Sequence, residues 1–136
     1  MLNSVFKNNF SDLSFTKKVH TVFPETNLLD ALTMLKDNNI GALVVINQQN
    51  LVQGIFTERD YIQKIALNQN LDLASESISK YMVPSPKCVS CDTKLNLGLG
   101  LMRIGKFRHL IVTDKENKLT GIVSMKDAFD YFCDQV

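Results

Sequence analysis

Gly54-Ile55-Phe56-Thr57-Glu58-Arg59-Asp60 returns 67 positions later as Gly121-Ile122-Val123-Ser124-Met125-Lys126-Asp127. Both stretches run glycine, two apolar residues, a hydroxyl, a variable position, a basic residue and a carboxylate, so one unit has been written twice. An apolar run closed by a hydroxyl, with a carboxylate three residues on, is the pattern of a buried strand handing over to a helix.

Extended towards the N-terminus, the same displacement pairs Leu43-Val44-Val45-Ile46 with Leu110-Ile111-Val112-Thr113, short β-branched runs that read as buried strands. Polar turns follow each, Asn47-Gln48-Gln49-Asn50 and Asp114-Lys115-Glu116-Asn117, so each unit holds a hairpin. Upstream, Leu28, Ala31, Leu32 and Leu35 have the spacing of an amphipathic helix, with Thr26 placed to cap it. In the second unit Leu95, Leu97, Leu99 and Leu101 alternate like a strand, and Gly98 and Gly100 each cost a helix interior about 1 kcal/mol. The repeat nevertheless predicts a helix, with Gly98 in the place of Ala31 and room there for close packing. Tyr61, Ile62, Ile65 and Ala66 in one unit, and Ala128, Phe129 and Phe132 in the other, give a closing helix. With initial strands at Thr21-Val22-Phe23 and Cys88-Val89-Ser90, each unit is β-α-β-β-α. The boundaries expected are an N-terminal extension over 1–18, a first repeat over 19–67, a polar linker over 68–79 and a second repeat over 80–136.

A chain of 136 residues suits one compact domain, so two half-size units must share a core. Its 45% apolar and 21% charged residues are ordinary for a globular protein, and a net charge of +1 supplies no global field for nucleic acid or an anionic membrane. The N-terminus lacks a leader pattern and no apolar stretch reaches the roughly 20 residues that span a bilayer, so a cytoplasmic location is expected. Three cysteines, Cys88, Cys91 and Cys133, fit free thiols better than a disulfide framework.

The tandem β-α-β-β-α repeat, with Gly-apolar-apolar-[Thr/Ser]-x-[Arg/Lys]-Asp closing each copy, resembles a CBS-domain pair, the Bateman module. The likeness runs from about Phe15 to Cys133 and includes Gly41-Ala42-Leu43-Val44-Val45 and Arg108-His109-Leu110-Ile111-Val112. It implies an α/β fold (α+β in some schemes) of two pseudo-symmetric repeats. It also implies clefts between them that take AMP, ADP, ATP or S-adenosylmethionine as a regulatory ligand, with no obligatory cofactor. On that resemblance Thr57 and Asp60 would hold a ribose in the first cleft. Arg108, His109 and Lys126 would lie near its phosphates, and Ile55, Phe107 and Met82-Val83-Pro84 around the adenine. In the second cleft Ser124 and Asp127 would face the ribose, Arg59 the phosphate, and Ile40 and Ile122 the base. Because Gly41-Ala42 stands where the second repeat has Arg108-His109, the Asp60 cleft is expected to be the better site.

The chemistry of these residue types supports the assignment on its own terms. A hydroxyl and a carboxylate on the first turn of a helix can bracket a cis-diol, and nearby amides and cations favour phosphate. The same residues also make a capping box with no ligand, and capping and binding are compatible. Arg108 and His109 can equally be a solvated pair at a strand edge. Cys88-Val89-Ser90-Cys91 has neither a second Cys pair nor a His pair to complete a zinc site, and reads as strand packing. No nucleophile-base set and no phosphate-binding G-x-x-x-x-G-K-[ST] loop is present, so the expectation is a non-enzymatic sensor, with a ligand-free interaction scaffold as the alternative. The apolar helix faces exceed what a thin core covers, and a homodimer is expected, with an unidentified regulated protein as a further possible partner.

Overall fold

A computed structural model describes residues 2–5, 7–12 and 19–135; Phe15 and the rest of 13–18 lie outside the described residues. In chain order the elements are α1 (Leu2–Val5), β1 (Thr21–Val22), α2 (Leu28–Asp37), β2 (Ala42–Ile46), β3 (Val52–Thr57), α3 (Glu58–Lys64), β4 (Val83–Pro84), β5 (Cys88–Val89), α4 (Leu95–Gly105), β6 (His109–Thr113), β7 (Leu119–Ser124) and α5 (Met125–Asp134). Two compact units result, one formed by His20–Pro86 and the other by residues 1–19 and 87–136.

In the first unit β1 runs parallel to β2, β2 antiparallel to β3, and β3 antiparallel to β4. In the second, β5 lies parallel to β6 and β6 antiparallel to β7. The hairpins agree in detail. Asn47 Oδ1 accepts the Gln49 and Leu51 amides, and Asp114 Oδ1 those of Glu116 and Lys118. Asn50 and Asn117 both sit at φ 63°, in the left-handed region that Asn tolerates better than most residues. The residues read as hairpins from sequence form hairpins, and the alternating leucines of 95–101 lie on a helix.

One local expectation is corrected. Thr26 does not cap α2; Asn27 does, its side chain accepting from the Asp30 amide at 2.8 Å. The Thr26 hydroxyl oxygen instead accepts from the Phe23 amide, as Thr93 does from Ser90, so both threonines brace the turn before the helix. At the N-cap of α4 stands Lys94, which offers no side-chain acceptor.

In place of the single shared core expected from chain length, each unit has a core of its own, and the two match position by position. Val22, Leu28, Leu35, Leu43 and Val45 are buried in one, and Val89, Leu95, Met102, Leu110 and Val112 in the other. Each core is completed from outside its own β-α-β-β-α span. Ile78, from the polar stretch between the repeats, is fully buried in the first unit, and Phe10, from the N-terminal segment, is fully buried in the second. The backbone bonds that seat them correspond. Ile78 N–H donates to Thr26 C=O and Leu28 N–H to Glu76 C=O, while Phe10 N–H donates to Thr93 C=O and Leu95 N–H to Asn8 C=O. Residues 8–11 are thus the counterparts of 76–79, at a step of 68 instead of 67. The segment ahead of each repeat closes the core of the other.

Side-chain volumes are redistributed between the copies. The second core has Val123 for Phe56 and Gly98 for Ala31, and it has the larger Phe10 for Ile78. A Cβ built on Gly98 would run into Phe10 Cε2 and Cζ, so the ring occupies the space the glycine leaves. Gly100, on the same helix, has nothing within 4 Å of such an atom.

Opposite signs are therefore expected from two like substitutions, read by urea unfolding. Gly100→Ala should stabilise by about 1 kcal/mol through helix propensity. Gly98→Ala should destabilise by about 1–3 kcal/mol through overpacking against Phe10. Adding Phe10→Ile to Gly98→Ala recreates the first unit's pairing, and should cost less than the two single changes together. Lys94→Asn supplies the missing cap and should raise stability by about 1 kcal/mol.

Candidate functional site

Each copy of the repeated element ends a buried strand and starts a helix. In the first copy, Gly54 pairs with Pro84 and Ile55 with Val83 across the β3–β4 ladder. A Cβ on Gly54 would crowd the Met82 side chain and lie 3.0 Å from the Val83 carbonyl oxygen, so the glycine leaves room for the Met82–Pro84 segment to close on the strand. Thr57 is the N-cap of α3, and its amide donates to Asp60 Oδ2 at 2.9 Å. Its hydroxyl donates to the same oxygen at 3.2 Å and accepts from the Asp60 amide at 3.4 Å. Asp60 is only 5% exposed. Its other oxygen, Oδ1, is 3.0 Å from Lys64 Nζ, which also donates to Tyr81 C=O at 2.8 Å.

The second copy keeps the box and changes its surroundings. Ser124 caps α5, with its amide 2.7 Å from Asp127 Oδ2 and its Oγ accepting the Asp127 amide at 3.1 Å. Asp127 is half-buried, and no cation pairs with it among the described residues. Position 131, equivalent to Lys64, is Tyr131, whose hydroxyl oxygen accepts from the Asn8 side chain. Lys126 turns away to an exposed pair with Asp130 at 2.7 Å. The hydrogen bond to Asp130, and then that carboxylate's charge, hold the lysine above its ordinary pKa, with a smaller contribution from Asp127.

The residue before each central strand clamps the helix start. Gly41 C=O accepts from Glu58 N–H at 3.1 Å, and Arg108 C=O from Met125 N–H at 2.9 Å. In the ladders Ala42 lies opposite Thr57 and His109 opposite Ser124. Directly opposed residues in an antiparallel pair put their side chains on one face, with Cβ atoms about 5 Å apart. The second copy thus sets an imidazole beside its capping hydroxyl where the first sets a methyl group. Arg108, exposed, immediately precedes it.

The residues predicted from sequence divide between the units. Ile40, Ile55, Thr57, Arg59, Asp60, Met82, Val83 and Pro84 belong to the first, and Phe107, Arg108, His109, Ile122, Ser124, Lys126 and Asp127 to the second. Arg108 and His109, expected to serve the Asp60 copy, are neighbours of Ser124 and Asp127 within one unit. Phe107 lies two residues after Gly105, where a Cβ would meet its ring. Lys64 was missed, although Asp60-x-x-x-Lys64 is an i,i+4 ion-pair spacing legible in the sequence.

Burial pushes the Cys88 thiol above its ordinary pKa, away from thiolate chemistry, and Cys91 is exposed in the turn after β5. Among the described residues no cluster of three or more His, Cys, Asp or Glu is arranged to hold a metal. No helix among them is long and apolar enough to cross a membrane.

Comparison with known proteins gives these features a family. A 17.7 kDa protein encoded in the bps2 3′ region of Acidianus ambivalens is 41% identical over 112 residues, covering 82% of this chain and 66% of that protein. The chain spans 19% and 22% of two longer CBS domain-containing proteins of Arabidopsis thaliana. Among solved structures, Arabidopsis CBSX2, determined in complex with AMP, is 26% identical with a TM-score of 0.78, over 93% of this chain and 97% of that one. A CBS domain pair in complex with 5-methylthioadenosine and S-adenosyl-L-methionine shares the fold at 21% identity, with a TM-score of 0.82 over 95% and 98% of the two chains. The CBS domain family model matches twice, at residues 10–67 and 78–134, and the chain belongs to that family as a tandem pair of CBS domains.

Proposed function

We propose that the chain is a non-enzymatic regulatory module that binds an adenine nucleotide, with Ser124 and Asp127 as the principal ribose-binding pair and Arg108 and His109 as its phosphate ligands. One observation carries this reading: His109 faces the capping serine across the β6–β7 ladder, and Asp127, in the same box, is half-buried with no salt-bridge cation among the described residues. An accessible carboxylate and hydroxyl suit a cis-diol, and the adjoining imidazole and guanidinium suit a phosphate. The complex of CBSX2 with AMP supports an adenosyl ligand, of which AMP, ADP, ATP and S-adenosylmethionine are the ones proposed. Thr57 and Asp60, without basic residues at Gly41-Ala42, form the weaker counterpart. Ile40, Ile55, Met82, Val83, Pro84, Phe107 and Ile122 are the apolar residues proposed for adenine, and Arg59 and Lys126 are peripheral cations.

A ligand shifts a conformational equilibrium only by its differential affinity for the two arrangements, so the output passes through a partner or through a second copy. Ile62 and Phe129 occupy equivalent positions on α3 and α5 and are both 66% exposed, which supports a homodimer through these helices.

Calorimetric titration of AMP tests the assignment. Asp127→Asn should weaken binding by about 10-fold or more, the effect of losing hydrogen bonds to a charged acceptor. Asp60→Asn should leave the tight event within about 3-fold, less than the loss of one hydrogen bond to a charged group. AMP at about 100 times its dissociation constant should add about 2.7 kcal/mol to the native state. The scaffold alternative requires no thermal shift with any adenosyl compound.

A further inference from the structure

The two carboxylates of the repeated element differ in how many of their acceptor positions the protein itself fills. Asp60 receives the Thr57 amide, the Thr57 hydroxyl and the Lys64 ammonium. A carboxylate offers about four such positions, and a cis-diol donates twice. Asp127 receives the Ser124 amide on Oδ2, and where Lys64 would be Tyr131 is engaged with Asn8 instead. Ammonium-carboxylate bonds are stronger than those of neutral hydroxyls, so a ribose does not displace Lys64 by donor strength. The lysine is also held from a second side. It ends α3, and its ammonium spans from Asp60 to Tyr81 C=O, the residue just before Met82-Val83-Pro84. Its tether therefore joins the helix that carries the ribose carboxylate to the segment proposed for the adenine side.

We propose that Lys64 is an internal counterion that withholds Asp60 from ligand, so that the first repeat is latched and only the second responds to nucleotide. This rests on the adenosyl reading above and adds a specificity-determining residue to it. Removing the ammonium exposes the acceptor face of Asp60 and creates a second binding event. A purely structural role for Lys64 would make its removal weaken binding or leave it unchanged.

The experiment is AMP titration of the full chain, wild type and variants, with thermal melting of each. Wild type should bind with one tight event that Asp127→Asn weakens about 10-fold or more and Asp60→Asn leaves within about 3-fold. Lys64→Met should add a second event, or tighten the weak one about 10-fold, and Asp60→Asn in that background should remove the gain. Lys64→Gln, which keeps a donor for Tyr81 without the charge, should behave like Lys64→Met and guards against a folding defect. If both Lys64 variants melt as folded proteins and bind AMP with wild-type stoichiometry and affinity, the latch is wrong while the adenosyl reading stands. Loss of the tight event in Asp60→Asn alone, with Lys64 in place, also overturns it. If neither wild type nor any variant binds AMP or S-adenosylmethionine, the adenosyl reading falls and the ligand role of Lys64 with it.

Discussion

Each CBS repeat depends on one buried side chain that its own contiguous sequence does not supply. Ile78 and Phe10 are both fully buried, and each is fixed by a pair of backbone hydrogen bonds on either side of a helix N-cap. Without that residue each core would lose dispersion partners and a void would remain, in the second unit beside Gly98. A half-size β-α-β-β-α unit buries too little apolar surface to tolerate such a loss. The added segment also provides acceptors for helix-start amides, since Glu76 C=O and Asn8 C=O take the Leu28 and Leu95 amides.

Duplication has not left two identical cores. The exchange of Phe56 for Val123 and Ala31 for Gly98 removes volume from the second unit, and Phe10 in place of Ile78 returns it. Interiors are close-packed, so such changes are tolerated only in combination. This explains a helix with two glycines at Gly98 and Gly100: one has a ring against it, and the other faces open space.

A similar drift separates the two capping elements. Both retain the capping box, because a strand that turns directly into a helix leaves amides that a hydroxyl and a carboxylate can satisfy. That requirement is local and holds in both copies whether or not a ligand binds. The surroundings are free to diverge. Lys64 and Ala42 accompany Asp60, and Tyr131 and His109 accompany Asp127, so Asp60 is ion-paired within its own repeat while no salt bridge reaches Asp127 among the described residues.

The two hairpins, the helix over 95–105 and both capping boxes were legible in the chain, because turn chemistry, apolar period and cap spacing act over a few residues and the repeat doubled each signal. Asn27 displaced Thr26 as the cap of α2 because the threonine side chain is spent on the preceding turn, a choice between neighbouring acceptors that spacing does not resolve. The roles of Phe10 and Ile78 were hidden for another reason: their step of 68 falls out of register with the 67 of the rest, and each acts on the repeat to which it is not contiguous. Likewise, Arg108 and His109 were visible as basic residues, but only the β6–β7 register put the imidazole beside Ser124. Sequence by itself determined the duplication and the chemistry at the end of each strand, since both are written in short-range order. Tertiary structure alone decided which segment closes which core and which hydroxyl has an imidazole beside it, because burial and pairing depend on residues brought together by strand register and long-range packing.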